Sequence, residues 1–254
     1  MCIAQHNRLS TSNKIITVAF RIFCGATTTT GIRSETMHLA GILAASTSTA
    51  VLVEGESDRA AVEALATRQG LPLAGLGVQV VAMGGITNIG HHLIALLDSP
   101  ARRPAADAAH PVRAGATAPT TRRPPTLRIG GLYDAAEERF VVKALDRVGL
   151  RPEGATTPLS AHGFFRCDRD LEDELIRALG VDAVIELITA EGELRSLERL
   201  QGQPAQRDRT TAQQLHRFFG SKGGRKEYYG RRLAEAVPLN RVPQPLGELL
   251  RWAT

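Results

Sequence analysis

The chain has 254 residues, 43% of them hydrophobic and 4% aromatic, with 31 Lys and Arg against 26 Asp and Glu. That length and apolar fraction suit one globular domain with appendages and exclude a globally disordered chain. No run of about 18 apolar residues is present, which excludes a membrane-spanning helix, and the N-terminus lacks the layout of a secretory signal. Cys2, Cys24 and Cys167 are too few and too scattered for a disulfide framework or a Cys-ligated zinc motif. A reducing cytoplasm is the expected location.

The formal net charge of +5 is unevenly spread. Residues 168–198 hold ten acids against three Arg, whereas residues 207–232 hold eight bases against two acids. An acidic block followed by a basic one fits a metal site beside a phosphate track. It equally fits two helical faces that neutralise each other.

Along the chain, residues 1–48 show no core pattern, and TTTT and STST tracts interrupt them. They read as a disordered leader or a mis-annotated start, with Met37 as an alternative initiation point. TAVLVEG then reads as a buried strand ending in a carboxylate. Ser57 is the expected cap of a helix running to Gly70. LGVQVVAMGG reads as a second strand and ITNIGHHLIALL as a second helix. Residues 100–126, rich in Pro, Ala, Thr and Arg, read as a flexible insertion. TLRIGGLYD is the third strand, AEERFVVKALDRVG the third helix and HGFFRCD the fourth strand. LEDELIRALG begins a helical stretch that continues through VDAVIELITAEGELRSLERLQ. TAQQLHRFFG and KEYYGRRLAEAV add two more helices. Alternating strands and helices predict an α/β fold with a mainly parallel, Rossmann-like sheet over residues 49–200 and a helical C-terminal extension over 201–254.

Ligands of an open α/β sheet bind beyond the carboxyl ends of its strands, and acids collect there. Glu54 closes the first strand, with Asp58 one turn later. Asp134 closes the third, followed by Glu137 and Glu138. Asp168 and Asp170 close the fourth, with Glu172, Asp173 and Glu174 opening its helix. Single acids at helix N-termini serve the helix dipole. Three strand ends in register instead suggest hard oxygen ligands for Mg²⁺ or Mn²⁺, because like charges repel without a cation. Gly84, Gly85 and Asn88 could donate to a phosphate or to Asp58, although a tight turn uses the same glycines. His91 and His92 read as helix surface or core, and Cys167 as a buried small hydrophobe.

The string VLVEGESDRAAVEAL resembles the opening of a TOPRIM domain, the fold shared by topoisomerases, bacterial primases and nucleases of the overcoming-lysogenization-defect (OLD) family. VVAMGGITNIG resembles the second strand and turn of the OLD subgroup, and GLYDAAEE its third strand. CDRDLEDEL resembles its later acidic helix start, and FFGSKGGRKEYYG its C-terminal lysine helix. The resemblance implies a metal-dependent DNA endonuclease module using two ions. Glu54 would be ligand or general base and would hold one ion with Asp58 and Asp134. Glu172, supported by Asp170 or Glu174, would hold the second. Lys226 would stabilise phosphate charge, and Arg217, Lys222, Arg225, Arg231 and Arg232 would track the DNA backbone.

Two departures qualify that picture. The second acid of the D-x-D pattern on the third strand is Ala136 here, so Glu137 or Glu138 would have to substitute. Full-length OLD nucleases carry an ATPase domain, yet GSKGGRK lacks the spacing of a phosphate loop, so no ATP site is expected in this chain. A separately encoded ATPase partner and self-association stay open. The alternative is a non-catalytic nucleic-acid or partner-binding module that has lost one metal, a reading favoured by Ala136. Nucleotidyl transfer would use the same carboxylates, but no separate nucleotide pocket is evident.

Overall fold

Strands β1 (Thr49–Val53), β2 (Val78–Ala82), β3 (Arg128–Asp134) and β4 (Phe164–Cys167) form one sheet in the order β2-β1-β3-β4. Every pairing is parallel. The computed structural model describes residues 43–44, 46–98, 127–151 and 156–254. The expected insertion at 100–126 and most of the expected leader lie outside them. No helix among the described residues is long and apolar enough to cross a membrane.

β1 is apolar throughout because both faces of the sheet are covered. Ala50 and Leu52 join one core cluster, built with α2 (Ile89–Leu97) and α3 (Glu138–Arg147). Val51 and Val53 join the other, which holds α1 (Glu56–Arg68) and α4 (Leu171–Leu179). The same second cluster takes in α5 (Val181–Ala190), α6 (Leu194–Gln201), α7 (Thr211–Phe219), α8 (Arg225–Ala236) and α9 (Gln244–Ala253). The C-terminal helices therefore share a core with β1 and α1.

Three local features differ from the sequence reading. The expected cap Ser57 lies inside α1, buried, and Gly55 takes the N-cap position. Gly55 N–H donates to Asp58 Oδ2 at 2.9 Å, so the cap is closed by the acid three residues on. The stretch read as continuously helical breaks between Ala190 and Leu194. Helix α9 was not anticipated, although Pro245 at its start and Leu246, Leu249 and Leu250 at helical spacing signal it.

Helices α1 and α8 approach closely. A Cβ at Gly230 would stand 2.6 Å from the Ser57 carbonyl oxygen, where only glycine fits. At the far end Arg68 Nη1 donates to the carbonyls of Ala234 at 3.0 Å and Val237 at 2.5 Å. Tyr229, Phe218 and Phe219 are fully buried, and the Phe219 and Tyr229 rings stack with centroids 4.8 Å apart. Gly230→Ala should cost about 1–3 kcal/mol in chemical denaturation, the usual penalty of overpacking. Unchanged stability would mean that α8 is not held against α1.

Candidate metal centre

The carboxyl ends of β1 and β3 bring the first group of acids together. Glu54 follows β1 directly, Asp134 ends β3, and the single 3-10 turn Ala135–Glu137 returns Glu137 toward both. One oxygen from each of Glu54, Asp134 and Glu137 lies within 4.8 Å of the others. Ala136 and Glu138 are exposed, so Glu137 is the acid that joins this group. Burial, then the charges of Glu54, Asp170, Glu137 and Asp58, push the Asp134 carboxyl up to about 8. Burial also raises Glu137, aided by the charge of Glu54 and a hydrogen bond with it. Without a cation the raised Asp134 carboxyl holds its proton at neutral pH.

A second group forms where β4 passes into α4. Asp170 caps α4, its Oδ1 accepting from Asp173 N–H at 2.8 Å. Its other oxygen, Oδ2, lies 2.7 Å from His216 Nε2 on α7. Burial alone would raise Asp170, but the hydrogen bonds from His216 and Asp173 outweigh it and hold the carboxyl below its ordinary value. Glu172, in the first turn of α4, is 2% exposed, and neither carboxylate oxygen has a hydrogen bond. Lys226 Nζ stands 3.3 Å from Glu172 Oε1 as an ion pair without hydrogen-bond geometry. One donor atom each from Asp170, Glu172 and His216 lies within 4.8 Å of the others.

Asp58 stands between the two groups electrostatically and belongs to neither set of three. Burial, then the charge of Glu172, raises it to about 7 against the pull of the Gly55 N–H and Lys226. For Lys226, burial favours the neutral amine, yet Glu172 and Asp58 outweigh it and hold the ammonium above its usual range. Glu174 is committed elsewhere: Oε1 accepts from Asp168 N–H at 2.9 Å and pairs with Arg177 at 2.6 Å.

The expected phosphate turn is closed on itself. Asn88 Nδ2 donates to the carbonyls of Met83 at 2.9 Å and Gly84 at 3.2 Å, and does not reach Asp58. Gly84 and Gly85 adopt φ of 68° and 119°, the left-handed region that favours glycine. Gly85 N–H donates to the Glu54 carbonyl at 3.0 Å, so the turn fixes the backbone of that acid.

The basic residues divide by environment. Arg217, Lys222 and Arg231 are exposed. Arg225 departs from the expectation of a DNA contact: it is 9% exposed and donates to Glu193, Ser196, Ser221 and the Phe218 carbonyl. Arg232 is tied to Glu191 and Glu235. His92 is buried with Nδ1 beside the Asn88 carbonyl, and Cys167 is a buried free thiol. His216 is the site residue that sequence reasoning missed. It sits in no recognisable motif, 46 residues from Asp170.

The donor set suits a hard divalent cation. Glu172 Oε2 and Glu137 Oε2 are buried without a hydrogen-bond partner, a condition folded proteins rarely tolerate for carboxylates, and Glu172 Oε1 meets only the Lys226 ammonium. Several carboxylates converging around them match the oxygen ligation of Mg²⁺ or Mn²⁺.

A parallel sheet whose strand ends gather carboxylates is the arrangement that the TOPRIM resemblance implied. Residues 47–101 match the family model of the overcoming lysogenization defect protein-like TOPRIM domain. The structure is similar to the C-terminal region of the Xanthomonas campestris pv. campestris OLD protein, with a TM-score of 0.54 and 22% identity. That match covers 82% of this chain and 94% of the other. The C-terminal region of the Burkholderia pseudomallei OLD protein gives 0.51 and 18% over 82% and 96% of the two chains. No curated protein matches the sequence significantly. The fold is that of the C-terminal regions of these OLD proteins, and residues 47–101 carry the match to the OLD-like TOPRIM family.

Proposed function

We propose that this domain is a metal-dependent DNA endonuclease, or the catalytic module of one, hydrolysing phosphodiesters with two divalent ions. The observation that carries this reading is the pair of acidic groups at the ends of β1, β3 and β4, with the buried Glu172 carboxylate met by the Lys226 ammonium alone. Glu54, Asp134 and Glu137 would hold one Mg²⁺ or Mn²⁺, and Glu172 with Asp170 the other. Ions bound there lower the pKa of water and neutralise charge on phosphate oxygens. Glu54, partly exposed, would be ligand to the first ion or the base that takes the proton of the attacking water. Lys226, whose side chain is 52% exposed, would keep its ammonium charged and offer it to a nonbridging oxygen. Asp58 would shape the field between the two groups. Ala136, which favoured a non-catalytic module, is exposed, and Glu137 supplies a third carboxylate in its stead.

Incubation of supercoiled plasmid with the chain in EDTA, Mg²⁺ or Mn²⁺ tests this. Nicked or linear product should form only with a divalent ion. DNA binding without cleavage under any ion would favour the binding module instead.

Binding itself should be salt-dependent and sequence-tolerant. Arg217, Lys222 and Arg231 are exposed on or beside α7 and α8 and would neutralise phosphates. Reversing all three to Glu should flatten the slope of log K against log salt by about 0.9 per lost phosphate contact. A slope identical to wild type would place the DNA track elsewhere. Reversing Arg225 would be uninformative, since it breaks a buried network.

A further inference from the structure

We propose that His216 is a nitrogen ligand of the second ion, which makes that position a mixed oxygen and nitrogen site preferring Mn²⁺ to Mg²⁺. This rests on the metal-dependent reading of the site and deepens it. The first group offers carboxylates alone, whereas the second has one imidazole among two carboxylates.

The geometry is that of shared ligation. Asp170 Oδ1 is taken by the Asp173 N–H, so only Oδ2 is available, and it lies 2.7 Å from His216 Nε2. Neighbouring donors on an octahedral ion with bonds near 2.1 Å are about 3 Å apart. Glu172 supplies the third donor within 4.8 Å, buried and without a hydrogen bond. The helix that carries His216 is firmly packed. Leu215, Phe218 and Phe219 on α7 are buried to 1% exposure or less, which holds the helix face that bears His216 against rotation. In the metal-free chain the imidazole donates from Nε2 to the carboxylate. Moving that proton to Nδ1 frees the Nε2 lone pair for an ion. An imidazole ligand suits first-row transition ions, and an all-oxygen set suits Mg²⁺.

The test uses Mn²⁺ alone as probe, in the full chain carrying Glu54→Gln and Asp134→Asn to empty the first group. Pulsed electron paramagnetic resonance of bound Mn²⁺ should show nitrogen-14 modulation from a coordinated imidazole. Adding His216→Gln should remove it, and calorimetric titration should show the preference for Mn²⁺ over Mg²⁺ falling at least about tenfold. Thermal melts in EDTA check that each variant folds, and His216→Gln alone provides the same comparison in an otherwise native chain. Bound Mn²⁺ without nitrogen modulation, or modulation that survives His216→Gln, overturns the proposal and leaves His216 a positioning residue for Asp170. Absence of bound Mn²⁺ in both the double variant and wild type overturns the metal-dependent reading as well. Nitrogen modulation in a chain that cleaves no DNA supports the ligand assignment and defeats only the nuclease reading.

Discussion

Glu54→Gln and Glu172→Gln should each reduce metal-dependent plasmid cleavage to the level seen in EDTA, with DNA affinity held within a few-fold. Each change removes one charge from a different acidic group and keeps the side chain's size. The basic residues assigned to the phosphate backbone lie on other elements, so binding should persist. Glu137→Gln should be as damaging as Asp134→Asn, because Glu137 joins that group where Ala136 does not. Lys226→Ala should slow cleavage by on the order of 10²–10³ and leave metal binding intact, as expected for a transition-state charge partner. Neutralising Asp134 or Glu137, which repel their neighbours, should leave the melting temperature in EDTA equal or higher, whereas Glu172→Gln also loses the Lys226 ion pair, so its melt in EDTA is measured beside its cleavage. Glu172→Gln with near-native cleavage would remove the second ion from the reaction.

The parts of this site that were legible in the sequence are those fixed by strand direction. A run such as TAVLVEG places Glu54 at a carboxyl end whatever the rest of the chain does, and the same holds for Asp134 and the acids after Cys167. The choice between Glu137 and Glu138 was not legible, because one 3-10 turn decides which of two neighbours approaches Glu54 and Asp134. His216 was hidden for a different reason. Its approach to Asp170 depends on how α7 packs through Leu215, Phe218 and Phe219, and no local pattern encodes that approach. The basic run was read too uniformly. Charge segregation left open a DNA track or mutual neutralisation, and the structure divides the residues between them. Arg225 with Glu193, Lys226 with Glu172, and Arg232 with Glu191 are pairs between the two blocks, whereas Arg217, Lys222 and Arg231 stay exposed.

In the metal-free chain, raising the pH should lower stability, and a divalent ion should reverse that trend. Asp134 is raised from an ordinary value of 3.8 to about 8, and Asp58 to about 7. Between those limits the folded chain holds protons that the unfolded chain has released, so stability falls as pH rises through the interval. Asp170 acts in the opposite sense, but its value is lowered, so its window lies below about pH 4 and does not overlap. The clean measure is the difference between wild type and Asp134→Asn in EDTA. Because the variant lacks the raised carboxyl, its melting temperature should gain on wild type from about pH 5 to about pH 8.5. Mg²⁺ or Mn²⁺ displaces the same protons and should stabilise wild type most at the alkaline end. At a hundredfold excess over its dissociation constant an ion adds about 2.7 kcal/mol, a rise of about 5–10 °C for a domain of this size. Asp134→Asn should lose most of that rise, because the first group loses a ligand. A wild-type melting temperature that ignores both pH and divalent ions across this range would mean that the acids at the strand ends do not share one cation site.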